Sequence, residues 1–493
     1  SSGKWYWEIT LTASSVSEYS PTLFSGITNT TSVSSVGDYV GKTASGWGYY
    51  SSSGAIRNNQ SDLLTVSTYG VGDVIGYAFD ADNGKFYVSK NGTWQNSGNP
   101  VAGSGAVVSS LPAGTYFPAV SDGGGTETFS ASANYGQRAF AFSAPTNYKS
   151  LNTANLPTPT IADGSKYFDT KLYTGNDGTQ TISGFSFAPN WVWIKSRSSA
   201  AAHCTADIVV GANKHLLPNE TAAEATGLVP AFTSDGFTVN NLRNGADNGT
   251  TNDNNLSYVS WAWAAGTSTV TNNDGSIASQ VRAQPSAGFS VVTYTVGNNT
   301  AQTIGHGLNA APHLIIVKER NQANNWQVYH SSLGNGNYLW LNSTNASAAN
   351  VLWNSTSPTN SVFSIRSGGS AQFYDGKDHV AYCFAPVAGY SAMGSFVSNN
   401  SADGNFIYLG FKPRWIMVKR TDSTSNWFIL DTARDTYNVM DAVLDANLSD
   451  AERHADIWDS LSNGMKLRIA LPGTFLYVAF ASNPFQANGG LAR

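Results

Sequence analysis

Charge is in short supply in this chain: only 12% of its 493 residues are Asp, Glu, Lys or Arg, roughly half the usual share for a soluble protein. The formal net charge is −5 and Lys and Arg form no cluster. The dense basic face that neutralises phosphates is therefore missing, and a nucleic-acid partner is not expected. Cysteine is scarcer still. Cys204 and Cys383 alone exclude a disulfide framework and read as small buried thiols, so stability should rest on packing and assembly, as suits folding in a reducing cytoplasm. No apolar run approaches the ~18 residues of a membrane helix and nothing at the start resembles a signal peptide, so membrane insertion is not expected. The chain opens on SSGKWYWEI without Met, which is the start expected of a piece of a longer or processed polypeptide, one whose upstream anchoring segment would be missing.

Signatures of chemistry are missing too. The seven His show no HExxH or paired spacing, and His203-Cys204 lacks further sulfur partners, so neither a metal nor a cofactor is expected. Neither a G-x-S-x-G elbow nor a GxxxxGK loop occurs, which leaves a common esterase or an NTPase unsupported. DADNG at Asp80 to Gly84 is similar to a calcium loop, but Gly84 sits where a ligand belongs and Asn91 where the closing Glu should be. A hairpin turn accounts for those residues. Carboxylates cluster once, from Asp431 through Asp435, Asp441, Asp445, Asp450, Glu452, Asp456 and Asp459, interleaved with Arg434, Arg453 and His454. They read as a solvated helical face rather than the facing pair of a glycosidase. No catalytic residue is assigned.

What the chain has in quantity is Gly, Ser, Thr and Asn between short runs of Val, Ile, Tyr, Phe and Trp, the pattern of strands joined by turns. An all-β, multidomain chain of β-sandwich modules follows, with three to five domains for this length. Within it one pattern recurs. Pro413 precedes Lys419 by six residues, across Trp415-Ile416-Met417-Val418; Pro312 precedes Lys318 by six and Pro189 precedes Lys195 by six, again across apolar runs. An aromatic strand lies upstream, around Tyr173, Tyr294 or Phe396. Downstream, Asn219 and Asn342 each follow their Lys by 24 and Asn447 follows by 28, and each copy closes on an apolar strand, YVSWAWAAG, HVAYCFAPV or FLYVAFASN. Trp263, Phe384 and Phe480 are expected at one equivalent core position.

Three tandem copies result: 151–266, 286–388 and 389–493, with 267–285 as a linker. The continuous apolar run after the Pro predicts a strand covered on both faces, with the Pro at its start. The Lys that ends it reads as a charge capping a sheet edge. ETAAEA and SDAERHADIWDSL suit short helical turns, with Asn219 or Ser449 as N-caps.

The first 150 residues differ. GKWYWEITL, GWGYYSSSGAI, VGDVIGYAFDADNGKFYVSKNGTW and GTYFPAV come in order, the third holding strands Val74 to Phe79 and Lys85 to Lys90 around an Asp82-Asn83-Gly84 turn. In this order they resemble the SPRY domain, although a first strand expected before GKWYWE is absent. The resemblance implies a bent β-sandwich over 1–150 with a binding face of loops. Turn-associated aromatics and a neutral amide there suit a sugar or a peptide: Trp94 and Asn91 foremost, with Trp47, Tyr49 and Tyr50 as ligand-binding candidates. The alternative is that Tyr49 and Tyr50 alternate across a strand with one in the core.

The C-terminal copies resemble a tandem domain of tailed-phage virion proteins, through the P-x-L/W-I/V-x-x-K strand, the strands Trp427 to Asp431 and Trp326 to His330, and the closing aromatic strand. Copy one departs, with His203-Cys204 where the others have Asn-Trp. This resemblance implies a structural protein of the virion, assembled in the host bacterial cytoplasm. Its expected role is a tail fibre or tail-associated receptor-binding component, with a capsid-associated fibre or decoration protein and a tail-borne polysaccharide depolymerase as alternatives. Implied partners are other virion proteins, a host cell-surface glycan or protein, and further copies of the chain, a homotrimer being favoured.

Overall fold

The computed structural model describes residues 3–15, 22–29, 39–123, 128–152, 155, 159–241, 251–298, 301–367 and 373–484. It is all-β, and among the described residues the helices are single 3-10 turns, Gly164–Lys166 and Pro285–Ala287. Two compact units, Ser1–Pro157 and Thr158–Arg493, divide the chain.

In the first unit two sheets face each other. One runs Phe129–Asn134, Lys4–Ser14, Val74–Asp80, Lys85–Lys90, Thr93–Trp94; the other runs Ser61–Thr65, Ala55–Asn58, Gly46–Tyr50, Leu23–Thr28, Phe117–Asp122. Strand alternation sets the core. Trp5, Trp7, Ile9 and Leu11 point inward against Leu23, Ile27, Trp47 and Tyr49 of the opposite sheet. Tyr6 lies on the other side, in a second cluster with Ala78, Tyr87 and Tyr148. The intervening Glu8 accepts the N–H groups of Ala141 and Phe142, both at 2.9 Å. WYWE is thus a strand buried on both faces. The expected hairpin forms, with the Asn83 N–H bonded to Asp80 Oδ1 at 3.1 Å.

Each copy in the second unit has the same four central strands. In copy one they are the leading strand Phe168–Thr174, the closing strand Ser257–Trp263, the proline strand Trp191–Ser196 and the tryptophan strand Cys204–Asp207, paired in that order. Copy two uses Phe289–Thr295, Asp378–Phe384, Leu314–Glu319 and Gln327–His330; copy three uses Ser391–Val397, Thr474–Pro484, Phe411–Arg420 and Trp427–Asp431. The register is the same as well: Trp191 pairs with Trp263, Leu314 with Phe384 and Trp415 with Phe480. A minor antiparallel strand pair, such as Ala301–Gly305 with Val362–Arg366, accompanies each set.

The sequence expectations of a linker, of helical turns and of their caps are corrected. The segment 267–285 is no linker: its strands Val270–Asn272 and Ser279–Gln284 extend the sheet of copy two, the latter pairing along Phe289–Thr295. SDAERHADIWDSL is not helical, because Arg453–Leu461 is a strand held between Met440–Asp445 and Gly464–Leu467. Pairing on both sides outweighs its local pattern. Asn219 and Ser449 therefore cap no helix. ETAAEA likewise holds only a two-residue strand, Ala225–Thr226, and no helical turn.

Candidate functional site

The three copies do not pack as beads on a string. Trp263, Phe384 and Phe480, all buried, meet one another with ring centroids 5.6 to 6.4 Å apart. One apolar cluster runs through all three copies, from Phe168 and Trp191 through Phe289 and Trp326 to Trp415 and Phe480. Equivalent positions that touch each other require a pseudo-threefold arrangement, and the polar contacts obey it.

The residue eight places after each Lys reaches into another copy. Trp326 donates its indole N–H to Leu217 O of copy one at 3.0 Å, and Trp427 donates to Trp340 O of copy two at 3.0 Å. His203 completes the ring on Asp445 O of copy three at 3.1 Å. Because Trp193 donates to His203 Nδ1 at 2.9 Å, Nε2 carries the hydrogen that Asp445 O accepts. Burial pushes this imidazole well below its ordinary pKa and keeps it neutral. The structural equivalent of Asn325-Trp326 is thus Ala202-His203, one residue earlier than the pairing with His203-Cys204 expected from sequence.

Backbone bonds repeat the circuit. Ala201 N–H bonds Ser449 O, Asn324 N–H bonds Thr221 O and Ser425 N–H bonds Thr344 O, at 2.8 to 2.9 Å. In return Glu452 N–H bonds Arg197 O, Glu224 N–H bonds Arg320 O and Ser347 N–H bonds Thr421 O, also at 2.8 to 2.9 Å. Two of these seams add an ion pair at the same positions, Arg197 with Glu452 and Arg320 with Glu224, each at 2.7 Å. The third substitutes a hydroxyl, Ser347 Oγ donating to the backbone O of Thr421 at 3.0 Å.

Position twelve after the Lys is also shared across a seam. Asp207 accepts the hydroxyl of Tyr382 at 2.9 Å, and Asp431 accepts the indole N–H of Trp261 at 3.0 Å. Burial lifts the Asp207 carboxyl to about 6. Burial would lift Asp431 too, but Arg434 at 2.6 Å outweighs it and holds that carboxyl below its usual range. Arg434 is itself fully buried, sits over the Trp261 ring and bonds Glu452 at 2.9 Å. The carboxylates read as a solvated helical face therefore include the buried centre of a seam. In copy two this position is His330, which burial pulls down to about 4.

The edge-capping reading of the three Lys is also corrected. Lys195, Lys318 and Lys419 are buried, their ammonium groups enclosed by carbonyls: Ser196 O at 2.7 Å, Glu319 O at 2.7 Å, and Ser425 O with Thr344 O at 2.6 and 2.9 Å. Burial brings each down to about 8. The Asn that follows each Lys holds the tryptophan strand, Asn219, Asn342 and Asn447 accepting the N–H of His203, Trp326 and Trp427 at 2.7 to 2.9 Å. Sequence reasoning found the Lys and the Asn by spacing and missed what they do, since their partners lie across loops or in another copy.

The ligand-binding candidates of the first unit do not converge. Trp47 and Tyr49 are core residues. Tyr50 lies on the opposite face of its strand, stacked on Phe24 at 4.3 Å with Arg57 over its ring. Trp94 is half-buried, edge-on to Tyr6 at 6.4 Å. Asn91 builds the turn itself, accepting the Val74 N–H at 2.9 Å and donating to Asp73 at 2.7 Å. Among the described residues, no group of three or more His, Cys, Asp or Glu could hold a metal ion, and no helix is long and apolar enough to cross a membrane.

No curated protein matches the chain. Among solved structures, the SPRY domain of human HERC1 is similar at 19% identity over 28% of this chain and 78% of that one, with a TM-score of 0.23. A likeness of that size decides nothing about ligand or partner. Residues 163–484 match the family described as "Domain of unknown function (DUF7483)". That stretch covers the three copies that close on one another, and the chain belongs to this family.

Proposed function

We propose that the chain is a structural and adhesive protein of a tailed-phage virion, a tail fibre or tail-associated receptor-binding component. The observation that carries this reading is the closed ring of three copies. The charged side chains along the seams and in the Lys cages are spent on each other and on backbone carbonyls, which suits holding parts in register under load. A homotrimer stays the favoured assembly in this reading. A threefold arrangement is already made within one chain, so association with further copies or with other virion proteins would use surfaces outside the seams. The first unit, with its SPRY-like segment order, is the part that meets a host glycan or protein.

Locating the chain in an electron-microscopy map of the particle tests this, the expected place being the tail. Density on the shell would move the assignment to a capsid decoration protein, and absence from the particle would end it.

A further inference from the structure

One cleft in the first unit has the shape and chemistry of a binding site and involves none of the ligand-binding candidates Trp94, Asn91, Trp47, Tyr49 and Tyr50. It lies between the hairpin turn at Asp82, Asn83 and Gly84 and the loop 109–116, and has a volume of about 400 Å³, within the range of small-molecule sites. Its floor is apolar, made of buried Phe79 and Leu111 and half-buried Tyr116. Tyr116 is fixed in place, 5.2 Å from Phe79 and 5.8 Å from Trp47 between ring centroids, with its hydroxyl donating to Pro112 O at 2.6 Å.

The loop is fastened at its base, where the Leu111 N–H bonds Gly84 O at 2.8 Å. Gly84 has φ +61°, and a Cβ there would stand 2.7 Å from Leu111 O. Only glycine permits so close an approach in that conformation. The mouth is polar and exposed. It presents Ser109, Ser110 and the carboxylate of Asp82, which the Gly3 N–H steadies at 2.8 Å.

We propose that this cleft binds one neutral pyranose unit of a glycan. The flat C–H face of a sugar lies on an aromatic floor, and its hydroxyls bond a rim of hydroxyls and a carboxylate. No Lys or Arg lines the cleft, so a sulfated, phosphorylated or acidic sugar has no cation to meet there. The floor is fixed by its own packing before any ligand arrives, which lowers the ordering cost of binding. The inference deepens the adhesive reading and rests on it for its biological setting, while the binding itself is measured apart from any particle.

Saturation-transfer NMR of the full chain with the methyl glycosides of glucose, galactose, mannose, rhamnose and N-acetylglucosamine is the test. Transfer to ring C–H protons of at least one glycoside is expected. Ser110→Trp, at an exposed position on the mouth, should abolish it, and Asp82→Asn should weaken the affinity at least fivefold, both without changing the thermal unfolding of the chain. No transfer from any of the five, or equal transfer in both variants, overturns the proposal. So does selective uptake of a tyrosine- or proline-rich peptide in place of every sugar. Sugar binding by a chain that is absent from the particle would leave this site standing and remove only the virion assignment.

Discussion

Replacing Phe384 by Ala should destabilise the whole second unit and not one copy of it. The Phe384 ring is buried, stacked on Phe289 at 4.7 Å and within 6.4 Å of Trp191, Trp263 and Phe480. Removing about 150 Å² of buried apolar surface at roughly 25 cal/mol per Å² costs about 4 kcal/mol. This agrees with the 3 to 5 kcal/mol typical of such truncations, in which incomplete collapse of the cavity is included. A unit spanning Thr158–Arg493 has an unfolding entropy of about 0.7 kcal/mol/K, so its melting temperature should fall by about 6 °C. Calorimetry of the full chain reads this as one displaced transition for the second unit beside an unmoved transition for the first. Phe384→Leu, which keeps most of the volume, should cost less than about 1.5 kcal/mol. A shift below 1 °C for Phe384→Ala, or a second-unit transition that splits into a displaced and an undisplaced part, would refute the shared core.

A fragment of residues 267–388 should show no cooperative unfolding, because Trp326, Tyr382 and Phe384 lose the partners that copies one and three supply; a sharp thermal transition for this fragment would contradict the seams. Arg434→Met leaves Asp431 buried without its cation and Glu452 with Arg197 alone, and should cost about 3 to 5 kcal/mol by denaturant titration, whereas a near-neutral result would mean that water reaches Asp431. Lys195, Lys318 and Lys419 bind fewer protons in the folded than in the unfolded chain between their value of about 8 and the ordinary Lys value of 10.5. The three Lys therefore contribute a rise in stability from about pH 8, each adding up to about 1.4 kcal/mol per pH unit, and the buried hydroxyls of Tyr69, Tyr77, Tyr173, Tyr294 and Tyr382, held protonated above the ordinary Tyr value of 10.0, reverse it as pH approaches that value. The buried Cys383 thiol, held protonated well above its ordinary value of 9.0, subtracts about as much as one Lys adds. Lys318→Met should flatten the slope of unfolding free energy against pH, and an unchanged slope would show that the ammonium groups are not buried.

Sequence alone was enough for whatever depends on neighbours along the chain or on a repeated spacing. Asp82-Asn83-Gly84 marked the hairpin, and the six-residue interval from Pro to Lys placed three proline strands in one register, with Trp263, Phe384 and Phe480 at one equivalent position of the closing strands. These features are local or periodic, and burial periodicity writes them directly into the residue order. Tertiary structure decided the rest. A Lys closing an apolar strand looks the same whether it caps an edge or enters a cage, and for Lys419 the cage is finished by Thr344 of the preceding copy, 75 residues away. Arg453–Leu461 has a charged, helix-like pattern and becomes a strand because neighbours pair with it on both sides. The segment 267–285, rich in turn formers, is a folded part of copy two because the leading strand Phe289–Thr295 offers it an edge. The ring itself had no local signal: Trp326 and Leu217 are 109 residues apart. Their meeting follows from burying three aromatic faces at once, which none of the copies can do alone.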